Sequence, residues 1–422
     1  MNYKKITLNN GLRIMLVPNK NTQAVTVLVV VGAGSKYETK QNNGISHFVE
    51  HMFFKGTKKR HNTLAISETL DRVGGFYNAF TSKEYTGYFA KVDVKHSDLA
   101  LDWVSDIFLN SKIDPKEIEK ERGVIIEELN MYLDTPVRHI RDLFEGLLYG
   151  DQPAGWEIVG TKENLKKIQR NNFIDYIKNH YSSNNTIVCI SGNFSQEKII
   201  QDVKRKFKAI NKKQPQIKIK VVENQKLPQV NAKFKETDQT HFCLGVRGFD
   251  LFSPKIYAQE VLATILGGNM SSRLFIKVRE KSGLAYYVKT DAESFTDSGY
   301  LVTQAGIPHT ALKKAIKMIL REYRALKHKA VSQSELQKAK DYLKGNLTLS
   351  LESSDALASF YAGQELLTNK ILTLKDECAK IDKVKAKDVQ KIAQEIFQEK
   401  NLNLSVIGPH KNESSLGKLL FL

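Results

Sequence analysis

Two histidines and a glutamate lie within five residues of one another, in the segment HFVEH from His47 to His51. An α-helix turns by about 100° per residue, so His47 and His51 lie one turn apart on one side, where both imidazoles can reach a single ion. Neutral imidazole is a common zinc ligand, and a catalytic zinc site takes three protein ligands and keeps one position open. Glu50 lies on the same side and is predicted to be the general base for an attacking water. The alternative is a helix whose histidines are satisfied by the core or by solvent.

A third ligand must come from another element, and the acidic segment EIEKERGVIIEELNMYL from Glu117 to Leu133 offers candidates. Glu121 and Glu128 are seven residues apart, which places them two turns apart on one helix face. Apolar residues lie between them, and a carboxylate that emerges from a face packed on the core must be paired or metal-bound. The alternative for both residues is a solvated acidic face. That solvated face is the prediction for Glu117, Glu119 and Glu127.

Helical periodicity and β-rich runs follow one another along the chain and predict the α+β class. The predicted architecture has two homologous domains, each a mostly antiparallel sheet with helices packed on one face. Apolar residues recur at the helical spacing of about 3.6 residues in ten segments. These predicted helices are residues 44–54, 64–73, 97–109, 115–133, 163–180, 255–266, 274–281, 310–328, 332–351 and 386–396.

Two strand-like segments of the first half recur in the second half at one spacing. VTVLVVVG, ending at Gly32, corresponds to HFCLGVRG, ending at Gly248. TIVCISG corresponds in the same way to LNLSVIG, and both pairs are 216 residues apart, which indicates the duplication of a whole domain. A polar, lysine-rich stretch with two prolines lies between the halves. We therefore predict an N-terminal domain at residues 1–210, a linker at 211–231 and a C-terminal domain at 232–422.

Composition narrows the class of protein. The 422 residues are 41% hydrophobic and 26% charged, as expected for a globular chain of two or three domains. The three cysteines are far apart and form no CxxC pair, which excludes a disulfide framework and a thiolate zinc ribbon. The net charge is +18, but the sequence contains no block of five basic residues, so we expect no nucleic-acid partner. No run of about 18 apolar residues and no signal-peptide core occur, and we expect a cytoplasmic protein without membrane contact.

Three motifs of the first half resemble the pitrilysin-type zinc peptidases, whose inverted zinc motif is HxxEH. HFVEHMFFKGTKKR is similar to the zinc helix of that family, and ERGVIIEELNMYLDTP is similar to its third-ligand helix. The resemblance implies that Glu128, 77 residues after His51, is the third zinc ligand and that Glu121 supports the site near the metal. GGFYNAFTSKEYTGYF resembles the substrate-binding edge strand of the family. The substrate-binding residues that it implies are Asn78, Ala79, Phe80 and Thr81.

A fourth motif lies in the second half of the chain. GGNMSSRLFIKVREKSGLAYYV, from Gly267 to Val288, resembles the other signature of the same family. The resemblance implies that Arg279 and Tyr286 face the metal from the second domain, bind substrate and help to stabilise the tetrahedral intermediate. Without the resemblance, Arg279 is a charge on a helix face and Tyr286 is a half-buried strand residue.

Together the motifs and the resemblance predict a zinc-dependent endopeptidase that holds one Zn²⁺ per chain and cuts short or unfolded peptides between its two homologous domains. Some family members are paired subunits, of which one keeps the zinc motif and the other keeps the arginine and tyrosine. Both sets occur here, which implies a self-sufficient homodimer similar to bacterial processing-peptidase-like proteins and to the β-type subunit of the mitochondrial processing peptidase. The alternative is a noncatalytic peptide-binding partner subunit of a heteromeric processing peptidase.

Overall fold

The computed structural model describes residues 3–410 and 413–422. Its strands in chain order are β1 Lys4–Thr7, β2 Arg13–Pro18, β3 Ala24–Val31, β4 Phe76–Thr81, β5 Thr86–Asp93, β6 Thr186–Gly192, β7 Gln229–Phe234, β8 Thr240–Arg247, β9 Tyr287–Ser294, β10 Gly299–Ile307 and β11 Asn403–Gly408. Its α-helices are α1 Ile45–Met52, α2 Thr63–Asp71, α3 Ser97–Asn110, α4 Pro115–Leu133, α5 Pro136–Tyr149, α6 Lys162–Lys167, α7 Arg170–His180, α8 Gln196–Lys206, α9 Ile256–Gly267, α10 Leu312–His328, α11 Gln333–Ser350, α12 Ser354–Thr368, α13 Leu374–Lys383, α14 Ala386–Ile396 and α15 Glu413–Gly417.

These elements form two compact units, each built on one sheet. The first unit combines the chain up to Leu129 with Trp156–Ile219 and Thr348–Thr373. The second unit combines Asn130–Gly155 and Lys220–Leu347 with the chain from Leu374 onward. The predicted α+β class with two mostly antiparallel sheets is confirmed.

The sheet of the first unit has the strand order β1-β2-β6-β3-β5-β4, antiparallel except for the parallel pair β2 and β6. Its central strand β3 is buried along nearly its whole length, which explains why its sequence is a continuous apolar run rather than an alternating one. Tyr88 on β5 contacts the ring of Phe108 in α3, whereas Lys91 on the same strand binds Asp355 in α12. Residues three apart on a strand point to opposite faces, so helices cover both faces of this sheet.

The sheet of the second unit has the order β7-β11-β8-β10-β9, and its strands pair as parallel, antiparallel, antiparallel and antiparallel. The series β2-β6-β3-β5-β4 of the first unit has the same directions in the same order, which supports the predicted duplication. Leu244 on β8 packs into the larger core with α9, α10 and α14, and the adjacent Cys243 packs against Phe144 of α5. Helices therefore cover both faces of this sheet as well, so the prediction that helices pack on only one face of each sheet is wrong.

Two helices belong to a unit other than that of their neighbours in the sequence. α5, which lies between the first-half helices α4 and α6, packs on the strands of the second unit. α12, which lies between α11 and α13, packs on β2, β3 and β6 of the first unit. The compact units therefore contain one exchanged segment each. The boundaries at residues 1–210, 211–231 and 232–422 remain a prediction about the repeated halves of the sequence.

Most predicted helices lie within a few residues of their predicted bounds, and α4 and α14 match them at both ends. The single helix predicted at residues 163–180 is wrong, because α6 ends at Lys167 and α7 begins at Arg170. The backbone amide of Gln169 donates to the Asn172 side chain at 2.8 Å and starts the new helix. The segment predicted at 274–281 is π-helical over Phe275–Glu280. Among the described residues, no helix has the length and apolar character needed to cross a membrane.

Candidate metal centre

Helix α1 packs on the core through the apolar residues of one side, and the carboxylate of Glu38 caps its start. Ile45, Phe48, Val49 and Met52 have no exposed surface, so the remaining side of the helix carries its histidines and Glu50. The chain enters α1 through Gly44 at φ 99°, where a side chain would meet the carbonyl of Val159. No side chain at this position caps the helix.

Glu38 supplies the missing cap of α1. Its Oε2 accepts the backbone amide of Gly44 at 2.8 Å, and its Oε1 accepts the amide of Ser46 at 2.8 Å. The first amides of a helix have no partner inside it and attract negative charge, so the buried carboxylate stabilises the start of α1. The Ser46 hydroxyl also bonds the Tyr176 hydroxyl of α7 at 2.6 Å. These contacts fix the helix that presents the zinc motif.

The predicted ligand residues lie together in the first unit. The Nε2 atoms of His47 and His51 are 3.2 Å apart, and the Glu128 Oε2 lies 3.7 Å from the first and 3.4 Å from the second. Ligands placed tetrahedrally at about 2.0–2.1 Å from zinc stand about 3.3–3.4 Å from one another. Two nitrogens and one carboxylate oxygen at these separations therefore fit the coordination shell of zinc. Within residues 3–410 and 413–422, no other group of His, Cys, Asp or Glu brings three ligand atoms this close.

Glu121 contacts the far side of the His51 ring. The Nδ1 of His51 lies 2.9 Å from Glu121 Oε1, and Glu121 Oε2 accepts the Lys55 ammonium at 2.5 Å. Hydrogen bonds from His51 and Lys55 overcome the effect of burial and lower the pKa of Glu121. An Nδ1–H that donates to Glu121 leaves the Nε2 lone pair of His51 for a metal. Glu121 and Glu128 thus reach opposite nitrogens of one imidazole from one face of α4, as their spacing predicts.

The two histidines differ in their protonation. Burial lowers the pKa of His47 to about 4, and the neighbouring His51 adds to that effect, so His47 is neutral at pH 7. Burial alone would also lower the pKa of His51, but hydrogen bonds to Glu121 and Glu128 raise it to about 9. A metal ion must therefore displace a proton from His51, which makes metal binding stronger as the pH rises.

Glu50 lies beside this group at the wall of a cleft. Burial raises its pKa above the ordinary value, and the Thr81 hydroxyl donates to its Oε2 at 2.5 Å. The cleft has a volume of about 370 Å³. Its lining residues are Glu50, His51, Phe54, Lys55, Tyr77, Asn78 and Glu121.

The predicted substrate-binding residues lie on β4, which is an edge strand as expected. Among the residues that the structure describes, β4 pairs only with β5, so its other edge has no strand partner in the sheet. Asn78 is exposed, and Ala79, Phe80 and Thr81 are half-buried. An open strand edge is a template for the backbone of an extended peptide.

Arg279 and Tyr286 belong to the second unit. Arg279 lies in the π-helical segment, with its guanidinium 4.7 Å from the ring centre of Phe275 and 5.8 Å from that of Tyr286. Tyr286 directly precedes β9 and is 75% exposed, more than a half-buried strand residue. The two predicted residues are thus close to each other, and their role at the metal remains a prediction from the resemblance.

Sequence reasoning missed three contacts of this site. Glu38 caps α1 from six residues before Gly44, outside the usual capping positions, and Thr81 meets Glu50 from another element. Lys55 lies four residues after His51, so helical spacing was the signal that could have found it, although α1 ends at Met52.

Two family models match successive parts of the chain. The family model described as "Insulinase (Peptidase family M16)" matches residues 13–162, which contain the candidate zinc ligands. The model described as "Peptidase M16 inactive domain" matches residues 167–343.

Two similar bacterial proteins are both named uncharacterized zinc proteases. YmxG of Bacillus subtilis (strain 168) is 38% identical over 414 residues, which cover 98% of this chain and 100% of the relative. SCO5738 of Streptomyces coelicolor is 32% identical over 420 residues, which cover 98% and 91%.

Solved structures show the same fold at low sequence identity. A protease from Helicobacter pylori superposes with a TM-score of 0.90 at 24% identity and covers 97% of this chain and 99% of that chain. A peptidase M16 inactive domain structure from Pseudomonas fluorescens has a TM-score of 0.89 at 16% identity and covers 98% and 100%. The resemblance to pitrilysin-type peptidases is confirmed, because relatives above 30% identity match nearly the whole length. The chain belongs to peptidase family M16, the insulinase family.

Proposed function

We propose that this chain is a zinc-dependent endopeptidase that holds one Zn²⁺ through His47, His51 and Glu128. The observation that carries the proposal is the spacing of the three ligand atoms, which lie 3.2–3.7 Å apart beside the half-buried carboxylate of Glu50. The names of the relatives as zinc proteases support the metal and the reaction class. Zinc, when bound, polarises a scissile carbonyl and makes water a stronger acid at neutral pH.

The residues of this chain supply the proton transfers and the orientation of the substrate. Glu50 accepts a proton from the attacking water and later delivers it to the leaving amine. The open edge of β4 binds the peptide backbone as an added strand, with hydrogen bonds that do not depend on side-chain identity. This mode requires an extended backbone, so the proposed substrates are short or unfolded peptides. We assign Arg279 and Tyr286 to the developing oxyanion on the resemblance alone.

The test is digestion of a peptide library by the purified full chain, stripped of metal, reloaded with zinc and analysed by mass spectrometry. The loaded chain is expected to cut peptides, and addition of a chelator is expected to stop it. Glu50→Gln should keep one zinc per chain and lose at least about 100-fold in rate, because the general base is missing. If Glu50→Gln cut peptides at the parent rate, the assignment of the base would be wrong.

The same experiment tests the noncatalytic alternative. A zinc-loaded parent chain that binds peptides without cutting them would be a partner subunit. The name of the second family model favours this alternative only for residues 167–343, which contain none of the candidate zinc ligands. We propose the homodimer on the resemblance and the cytoplasmic location on the sequence. Light scattering of the purified chain tests whether it is a dimer.

A further inference from the structure

Thr81 is the last residue of β4, and its side chain faces α1. Side chains alternate along a strand, so Thr81 points to the same side as Tyr77, whose ring packs against Trp103 at 5.1 Å. Helix α1 packs against β4 on this side. The hydroxyl of Thr81 meets the Glu50 carboxylate there, with Oγ1 and Oε2 2.5 Å apart.

This contact is the one hydrogen bond that the Glu50 carboxylate makes within the described ranges 3–410 and 413–422. Oε2 accepts the Thr81 proton, whereas Oε1 accepts no hydrogen bond from these residues. Rotation about the last side-chain torsion of glutamate, χ3, is broad and nearly two-fold. The carboxylate therefore turns easily unless one of its oxygens is held by a hydrogen bond. Thr81 donates that hydrogen bond.

We propose that Thr81 is a positioning residue, which fixes the Glu50 carboxylate so that Oε1 is the oxygen that exchanges the proton. The inference rests on the proposed function. Oε1 takes the proton from the attacking water and gives the same proton to the leaving amine nitrogen, while the Thr81 proton stays on its own oxygen throughout. A base held in one orientation reacts faster than one that must find it, and a displacement of about 1 Å can cost about 100-fold in rate.

This role is separate from the predicted role of Thr81 in substrate binding. Peptide binding at the edge of β4 uses backbone amides and carbonyls, which a change of side chain leaves in place. The hydroxyl acts only on Glu50. Loss of the hydroxyl should therefore reduce kcat and leave KM nearly unchanged.

Four variants of the full zinc-loaded chain test the inference with a quenched peptide: Thr81→Val, Thr81→Ser, Thr86→Val and Glu50→Gln. Valine keeps the shape of threonine but removes the hydroxyl, and we expect kcat to fall about 10- to 100-fold with KM within about two-fold and zinc content unchanged. Serine keeps the hydroxyl and should restore most of the rate.

Thr86, the partner of Thr81 in the β4–β5 register, is the matched control. Its hydroxyl donates to the Ala33 carbonyl at 2.8 Å, so Thr86→Val loses a buried hydrogen bond that does not involve Glu50 and should keep the parent kcat.

The outcomes separate this inference from the function on which it rests. An inactive parent chain would overturn the proposed function and the inference with it. A Glu50→Gln variant as active as the parent would overturn the assignment of the base and therefore the inference. An active parent with an inactive Glu50→Gln and an unchanged Thr81→Val would overturn the role of Thr81 alone. Equal loss in Thr81→Val and Thr81→Ser would also overturn it, because the effect would then come from packing rather than from the hydroxyl.

Discussion

The two units share a strand order, and in each a helix follows the corresponding central strand, yet the two helices differ in content. α1 follows β3 and carries the zinc motif, whereas α9 follows β8 and is almost entirely buried. The helices can be aligned at their first residues. The residues of α9 at the positions of His47, Glu50 and His51 are then Ala258, Val261 and Leu262, all in the core.

The helices α4 and α11 show the same difference. Aligned at their first residues, Glu121 corresponds to Ala339 and Glu128 to Asn346. Ala339 is buried in the core of the second unit, where Glu121 of the first unit contacts a histidine and a lysine. At four of the five aligned positions one copy of the fold thus has a polar side chain where the other has an apolar one, and at the fifth the exposed Asn346 is also polar.

The different residues of the two units show which side chains the fold does not require. The second unit keeps its sheet and helices with apolar residues at every aligned position on α9, so the polar set is not needed for the architecture. Buried polar groups cost free energy unless they are paired. The first unit retains the buried His47 and Glu121 in one cluster with three half-buried polar residues, Glu50, His51 and Glu128. Such a set at a cleft is explained by chemistry rather than by stability. The site and the fold can therefore be disrupted separately.

The largest expected effect compares His51→Ala with Leu262→Ala at aligned positions. His51→Ala removes a ligand, and the affinity for zinc should fall by more than about 100-fold while the metal-free chain stays folded. Leu262→Ala leaves a cavity in the core, which should cost about 2–5 kcal/mol of unfolding free energy without changing the zinc content of the folded chain. Competition with a chromophoric chelator and urea unfolding measure the two quantities. The comparison fails if His51→Ala binds zinc like the parent.

A smaller loss of zinc affinity is expected for Glu128→Gln, because glutamine has the size of glutamate and keeps one oxygen that can face the metal. Loss of the negative ligand should weaken zinc binding by about 10- to 100-fold. Glu127→Gln is the matched control, because Glu127 is the adjacent residue on α4 and is exposed. Atomic absorption after dialysis measures zinc per chain. Equal stoichiometry in both variants would remove Glu128 from the proposed ligand set.

Much of the candidate site was predictable because helical spacing is local. The distances within HFVEH and between Glu121 and Glu128 depend only on the turn of one helix, and the structure places these residues together as that turn predicts. The convergence of α1 and α4 depends on tertiary packing. For that step the resemblance, rather than the spacing, indicated Glu128.

The unpredicted parts are helices outside the ten predicted segments, among them α5 and α12, and contacts between separate elements. α5 has a strong apolar face and a proline at its start, and α12 has a serine cap, but nothing in either segment indicates which sheet it covers. The cap of α1 by Glu38 and the bond from Thr81 to Glu50 join residues far apart in sequence or on different elements. Local patterns predicted many of the helices, but they missed α5, α8, α12, α13 and α15 and failed at these pairings.

Lys55→Met tests how far the polar network of the first unit extends beyond the ligands. Without the Lys55 ammonium, the Glu121 carboxylate loses the partner that fixes it against His51, and zinc affinity should fall by about 10-fold. Lys58→Met, an exposed lysine three residues later, removes the same charge and should bind zinc like the parent. The measurement is the same chelator competition. Equal affinities in the two variants would show that Glu121 orients His51 without Lys55.

The smallest expected effect concerns the start of α1. Glu38→Gln replaces one of the two oxygens that accept helix amides with an NH₂ group, so one amide at the start of α1 loses its partner. We expect a loss of about 1 kcal/mol in the unfolding free energy of the metal-free chain, the size of a lost helix cap. Glu68→Gln on the exposed side of α2 is the control and should unfold like the parent. α9 begins at Ile256, and the side chain of the preceding residue, Lys255, makes no capping hydrogen bond. A Glu38→Gln variant as stable as the parent would mean that apolar packing alone also holds α1, and the two helices would then differ only in their ligands.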